Sequence, residues 1–336
     1  MNETTSGLFA RRRQSQGVSI TSLVTASPLT HAGAKKGVML RPVLANLSAP
    51  EWGQNSWDYI ASLLAESGAV LLRGFKVADV AAFRAFVQTS AGALLGYTHR
   101  STPRSNISEG IYTSTEYPAD QHIPQHNEMS YTRSWPKRLF FHCAVKPGAQ
   151  GQTPLADSQG VYARLPEDLR ARFEAHGVMY VRNFGQGLDL SWQQVFQTEN
   201  QAEVEAYCQA NDIQCQWLGE GRLRTRQICQ ATLAHPRTGA GIWFNQAHLF
   251  HISNLPAEAE RELRREFAEH ELPRNALFGD GSPIPSTDLT LIRQAYQQEE
   301  ILFDWEQGDI LILDNETISH GRRPFTPPRN IMVAMT

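Results

Sequence analysis

Two short polar fragments restrict the folds open to this chain: His126-Asn127-Glu128, and His320 followed nine positions later by Arg329. Two imidazoles and one carboxylate are the set with which a non-heme Fe(II) centre holds one face of its metal, leaving other positions open. If they serve one ion, the fold must bring together segments about two hundred residues apart. On an extended strand, side chains at i and i+2 leave on the same face, so His126 and Glu128 are expected to project together while Asn127 points away. An isolated His-x-Glu pair also suits an ordinary polar strand, so the rest of the chain has to decide.

His320 follows the apolar run Ile310-Leu311-Ile312-Leu313 and the turn-forming pair Asp314-Asn315, which places it near a barrel edge in a strand reading. Arg329 opens the run Asn330 to Met335, which reads as a buried strand. Packing does not explain an arginine there. A bidentate contact with a carboxylate does, here the distal carboxylate of 2-oxoglutarate. Ferrous iron with two neutral imidazoles and one carboxylate carries a formal charge of about plus one, and the oxoacid is a dianion, so a nearby guanidinium offsets the excess. Arg322 and Arg323 are alternatives for that role, but their place in the polar turn His320-Gly321-Arg322-Arg323-Pro324 points to solvent or substrate contact.

With these fragments and several others in order, the chain resembles the taurine-dioxygenase-like superfamily of Fe(II)/2-oxoglutarate oxygenases, and within it the clavaminate-synthase-like and syringomycin-biosynthesis-type hydroxylases. The resemblance covers roughly residues 38 to 336. It rests on Gly68 to Phe75, Tyr112 to Pro118, His126 to Tyr131, Gly151-Gln152-Thr153-Pro154 with Asp157, Ile242 to Gln246, and His320-Gly321-Arg322. It implies a double-stranded β-helix, the jelly-roll or cupin-like barrel. It implies that His126, Glu128 and His320 bind Fe(II), that Arg329 pairs with 2-oxoglutarate, and that Thr153 donates its hydroxyl to the same carboxylate. Glu116, Asn245, Arg322 and Arg104 become substrate-contact candidates on resemblance alone. Two departures stand out: Gln150-Gly151 replaces a frequent double glycine, and Glu128 stands where many relatives carry Asp. Halogenating relatives have a small residue at that position, so the acid argues for oxygen insertion.

The implied activity is O2-dependent hydroxylation of an unactivated C–H bond, at the β-carbon of an amino acid either free or tethered to a carrier protein, in specialised-metabolite assembly. Succinate and CO2 would leave as co-products. Desaturation or epoxidation at the same iron is the alternative. A reading of another class is a non-catalytic metal- or ligand-binding barrel that partners a peptide synthetase.

At 336 residues the chain can form one large core. We expect a single oxygenase domain over 38–336 with a helical insert around 255–300, behind a flexible tail over 1–37. Residues 1 to 36 hold five Lys/Arg against Glu3, about +4, which leaves about −7 for the remainder of a chain with net charge −3. No basic stripe favours nucleic acid. No apolar stretch approaches a bilayer span and no secretion signal is evident, so a cytoplasmic location is expected. Cys143, Cys208, Cys215 and Cys229 lack Cys-x-x-Cys pairing, which suits thiols in a reducing compartment.

The coarse reading is an all-β core with flanking helices. Helices are expected from Trp57 to Leu64 with Gly68 as a stop, from Val80 to Val87, and over Trp192–Phe196, Ala202–Ala210, Pro256–His270 and Thr287–Glu299. Strands are expected at Ala69–Phe75, Leu139–Val145, Val178–Arg182, Gln227–Ala234, Gly241–Phe244, Ile301–Trp305, Asp309–Leu313 and Asn330–Met335. His142 reads as a satisfied interior histidine. His122 and His126 are at helical spacing for zinc, but Pro124 between them opposes a regular helix. His248 and His251 read as loop packing or a substrate contact. No phosphate-cradling glycine loop or nucleophile elbow is present.

Overall fold

The structure, a computed structural model, describes residues 20–29, 36–96, 106–113 and 117–336. Alternating apolar residues in several strands give its larger sheet two buried faces. The sheet runs in the order Val24–Pro28, Val38–Pro42, Ala69–Leu72, Ile310–Asp314, Arg138–Val145, Asn330–Met335, Ile111–Thr113 and Asn106–Ser108. Its pairings are antiparallel except that between Val38–Pro42 and Ala69–Leu72.

One face presents Val70, Leu72, Phe140, Ile310 and Met332 to the helices Ala49–Ser67 and Val80–Ala91, which contribute Trp52, Ile60, Leu64, Phe83 and Phe86. Ser48 caps the first helix by accepting from the Glu51 N–H at 3.5 Å, and the helix ends at Gly68 as expected. The opposite face presents Leu71, Phe141, Leu313, Ile331 and Val333 to Leu155, Ile318, Phe303 and Trp305. Burying each such side chain contributes about 1.5–3 kcal/mol, so this interior fixes the spacing of the two layers. The second layer is a four-stranded sheet in the order Glu300–Ile301, Leu155–Asp157, Ile318–Arg322 and Ile123–His126. A further four-stranded sheet, Gln214–Trp217, Leu223–Cys229, Val178–Phe184 and Arg274–Phe278, carries its own core around Tyr180, Trp243 and Phe250.

Several expectations need correction. Val24–Pro28 pairs in register with Val38–Pro42, so the segment read as tail up to residue 37 contains an edge strand. Four of its five residues are exposed, which removes the apolar alternation that would have marked it. The segment 255–300 is not purely helical. Between the helices Ala257–Glu266 and Ser286–Gln298 lies the strand Arg274–Phe278, paired with Val178–Phe184. Over Ile301–Trp305 only Ile301 is in a strand, although Ile301, Phe303 and Trp305 are all buried. The expected strand Gln227–Ala234 splits into Leu223–Cys229 and Thr232–Ala234. Between them the Ala231 carbonyl accepts from the Phe244 N–H and the Asn245 amide. His142 is satisfied as expected, with Nδ1 3.1 Å from the Asp309 carbonyl.

Arg73 and Asp309 tie the start of the Ile310–Asp314 strand to its neighbour, the guanidinium meeting the buried carboxylate at 3.0 and 2.6 Å. The four cysteines are unbridged, and burial pushes the thiols of Cys143, Cys208 and Cys229 up to about 12. Among the described residues, no helix is long and apolar enough to cross a membrane.

Candidate metal centre

The strand Ile318–Arg322 lies between Leu155–Asp157 and Ile123–His126, and its register sets His320 directly opposite His126 on one side and Leu155 on the other. Gly321 makes this approach possible. A Cβ there would fall 2.5 Å from the Ile123 carbonyl oxygen and 3.1 Å from the Gln125 nitrogen. The pairing register shifts between His320 and Arg322, beside this crossing point.

His126 ends its strand. Its Nδ1 lies 2.9 Å from the Pro124 carbonyl, so the ring donates there and Nε2 keeps its lone pair for a ligand. The two imidazoles are 4.6 Å apart at their centroids. Glu128 reaches them differently from the expected i, i+2 strand geometry, because the chain turns after His126 and Met129 adopts φ 57°. Asn315 holds that turn. Its Oδ1 accepts the Glu128 N–H at 2.7 Å, while its Nδ2 donates to the Glu128 carbonyl at 3.0 Å and the Pro136 carbonyl at 2.8 Å. Asn127 points away from the site as expected and is fully buried, donating to the Asn315 carbonyl at 2.7 Å and to Ser158 Oγ at 3.2 Å. Gln246 closes the set by donating to the Asn127 carbonyl at 2.8 Å.

One donor atom from each of His126, Glu128 and His320 lies within 4.8 Å of the others, and His320 Nε2 is 3.8 Å from Glu128 Oε2. Donors about 2.1 Å from one ion sit about 3 Å apart at right angles and about 4 Å apart when opposed, so small side-chain rotations suffice. Glu128 and His320 are only 3% and 5% exposed. Two imidazoles and a carboxylate, with Glu128 and His320 buried and His126 partly exposed, form a donor set that fits a divalent cation.

Thr153 lies two residues before Leu155, the register partner of His320, and is buried. Its Oγ1 accepts from the Trp305 indole N–H at 3.1 Å, which leaves the hydroxyl proton to be donated elsewhere. The turn leading to it takes two left-handed residues, Gln150 at φ 56° and Gly151 at φ 73°, so glutamine adopts the conformation that a glycine would take more easily. Arg329 packs against this turn. Its Nε donates to the Gly151 carbonyl at 3.3 Å and its guanidinium lies 5.3 Å from the Phe325 ring centre. Burial, reinforced by the Arg322 charge, pulls Arg329 down to about 10, so an arriving anion would be welcome there.

Arg322 is a correction to the solvent-contact reading. It is buried and donates to the carbonyls of Tyr117, Pro118 and Gln121 at 2.9, 2.6 and 3.0 Å, which makes it a clamp on that loop. Asn245, read as a substrate contact, has both amide atoms engaged with backbone, donating to Ala231 at 2.8 Å and accepting from Ala247 at 3.1 Å. Glu116 and Arg104 lie outside the described residues. The His122/His126 zinc pairing has no helix to support it, since His126 belongs to a strand that begins at Ile123. Asn315 and Ser158, which support the turn from behind, were missed as site residues. A buried asparagine between an apolar run and His320 was the available signal.

A model of the taurine catabolism dioxygenase TauD, TfdA family matches residues 26–336. The dapdiamide synthesis protein DdaC of Enterobacter agglomerans is 42% identical over 276 residues, covering 82% of this chain and 84% of that protein. A clavaminate synthase-like protein of Arabidopsis thaliana is 32% identical, again covering 82% and 84%. The crystal structure of PvcB from Pseudomonas aeruginosa superposes with a TM-score of 0.55 at 16% identity, covering 93% of this chain and 90% of that one, and so shares its fold. A second PvcB structure, described as an Fe, alpha-ketoglutarate dependent oxygenase from an isonitrile synthetic pathway, covers 100% of this chain and 94% of that one, with a TM-score of 0.54 at 16% identity.

Proposed function

The chain belongs to the TauD, TfdA family of dioxygenases that use Fe(II), 2-oxoglutarate and O2, and we propose that it hydroxylates an unactivated C–H bond of an amino-acid-like substrate, free or tethered to a carrier protein, in specialised-metabolite biosynthesis. The observation that carries this reading is the convergence of His126, Glu128 and His320 donors within 4.8 Å. In this reading those three residues hold the iron, and the two facing sheets are the halves of a jelly roll. The resemblance to a dapdiamide synthesis protein and to an oxygenase of an isonitrile pathway supports the metabolic setting. The unbridged cysteines support a cytoplasmic location.

When bound, iron with 2-oxoglutarate and O2 supplies the oxidising power that inserts oxygen into a C–H bond as succinate and CO2 are released. The chain's own residues then have definable tasks. His126 is fixed in one tautomer by the Pro124 carbonyl and presents Nε2. Glu128 is aimed by the turn that Asn315 grips on both of its backbone groups. Arg329 receives the distal carboxylate of 2-oxoglutarate, assisted by the hydroxyl proton of Thr153. Its charge brings two neutral imidazoles, one carboxylate, a divalent ion and a dianion to about zero. The burial of Glu128 and His320 keeps water from the reacting centre.

Succinate release and product mass measured across a panel of amino acids, free and carrier-loaded, test the proposal. Substrate-dependent succinate with a product heavier by one oxygen atom supports it. A product lacking two hydrogens would replace hydroxylation by desaturation, and succinate release with none of the panel stimulated would refute the substrate class.

A further inference from the structure

The sheet that carries His126 and His320 has a second feature beside it. Gln125 precedes His126 on one strand, and successive strand side chains leave on opposite faces, so Gln125 points away from the triad. There it lines a cavity of about 300 Å³ with His122, His248, Arg293, Tyr296 and Arg323. The helices Ala247–Phe250 and Ser286–Gln298 supply its far wall.

The charges in this cavity do not balance. Arg323 is paired with Glu300 at 2.5 Å, and Gln125 donates to the other oxygen of the same carboxylate at 3.1 Å. Arg293 makes no such ion pair among the described residues, and the Glu260 carboxylate offsets its charge only in part, since burial still lowers its pKa. Its terminal nitrogen donates only to neutral acceptors, the His248 carbonyl at 2.8 Å and Ser253 Oγ at 3.0 Å, and its Nε is buried with no acceptor. The Tyr296 hydroxyl is likewise buried with no partner on a side chain 2% exposed. Nearby imidazoles add no negative charge. Burial holds His248 down to about 3 and lowers His122, so both are neutral near pH 7.

Half-burying a guanidinium whose Nε has no acceptor and whose hydrogen bonds go to neutral groups is costly, and a fold selected only for stability would favour an apolar or closely paired residue here. A negatively charged ligand resolves the imbalance. We propose that this cavity is a binding site for a small oxyanion, a carboxylate or inorganic phosphate, with Arg293 as its counter-charge and the Tyr296 hydroxyl as a second donor. The site can be tested apart from the iron reading, because Arg293 and Tyr296 lie on the helix Ser286–Gln298, which carries none of the three candidate ligands, although Pro124, whose carbonyl meets His126, also lines the cavity.

Calorimetry and thermal melting of the full chain, with acetate and with phosphate against chloride at equal ionic strength, test this. Wild type and Arg329→Met, which lacks the proposed 2-oxoglutarate contact, should both show saturable binding of at least one of the two anions. The arm that responds assigns the ligand type. Arg293→Met should weaken that binding by at least about tenfold and Tyr296→Phe by less, while Arg293→Met without anion melts at or above wild type. The proposal is overturned if neither anion binds saturably, if Arg293→Met keeps the wild-type response, or if Arg329→Met abolishes it. Should Arg293→Met fail to fold, Tyr296→Phe decides. An unchanged affinity in that variant also overturns the site.

Discussion

Replacing Asn315 with alanine should damage the metal centre from outside it. The side chain is fully buried and touches no ligand atom of the triad, yet it pairs with the N–H and the carbonyl of Glu128 and with the carbonyl of Pro136. Alanine leaves these three backbone groups without that partner in a dry interior. An orphaned buried group costs about 1–3 kcal/mol, with carbonyls toward the lower end, so a loss of about 3 kcal/mol is expected. That is a large fraction of the roughly 5–15 kcal/mol that holds a typical domain together. The Glu128 turn also loses the grip that sets its carboxylate against His320, and changes of this kind behind metal ligands lower affinity by about 10–100-fold. Asn315→Asp should do no better, since it keeps the acceptor for the Glu128 N–H but turns a carboxylate oxygen toward two carbonyls. Denaturant unfolding of the metal-free protein gives the first quantity, and anaerobic titration with Fe(II) gives the second. A variant destabilised as expected but binding metal within about twofold of wild type would refute the claim that this clamp positions Glu128.

Other outcomes follow from the same geometry. Arg329→Ala should raise the 2-oxoglutarate concentration needed for half-maximal rate by roughly a hundredfold, the value of a charge-assisted bidentate contact, and leave the substrate requirement nearly unchanged. An equal rise in both would remove Arg329 from its assigned role. Gly321→Ala should cost about 2 kcal/mol or more and weaken metal retention, because its Cβ would meet the Ile123 carbonyl at 2.5 Å; wild-type unfolding and metal titration curves would contradict this. His248 makes stability depend on pH. Its folded value of about 3 lies below the ordinary 6.5, so the unfolded chain binds the proton first and stability falls as pH drops from 6.5 toward 3, by about 1.4 kcal/mol per unit. Arg293 and His126 add to this by disfavouring a further positive charge. His248→Asn should flatten unfolding free energy over that window, and an unchanged slope would show that other groups set it.

The convergence of the three candidate ligands was legible because their residue types are rarely combined by chance and because His320 follows a strong strand signal. The route by which Glu128 arrives was not. Strand alternation predicts the convergence, but the strand stops at His126 and a turn held by Asn315 completes the approach. Asn315 itself reads as a turn former in sequence, since its hydrogen-bond partner is 187 residues away. Buried runs such as Asn330–Met335 announce themselves by composition, whereas Arg274–Phe278 is a strand only because Val178–Phe184 lies beside it. Ile301 to Trp305 shows the converse case. Its side chains alternate between core and solvent as a strand's would, with Leu302 42% exposed, yet the backbone finds a ladder partner only at its first residue. Asn245 and Arg322 looked like substrate contacts because polar residues beside a site invite that reading, and packing engages them with backbone carbonyls.

The central claim is that His126, Glu128 and His320 share one ferrous ion with 2-oxoglutarate docked beside it. Anaerobic addition of Fe(II) and then 2-oxoglutarate, followed by visible absorption, tests it most directly. Wild type should develop a weak metal-to-ligand charge-transfer band that saturates at one iron per chain, and His320→Ala should not. A band of equal strength in His320→Ala, or none in the wild type, would contradict the account.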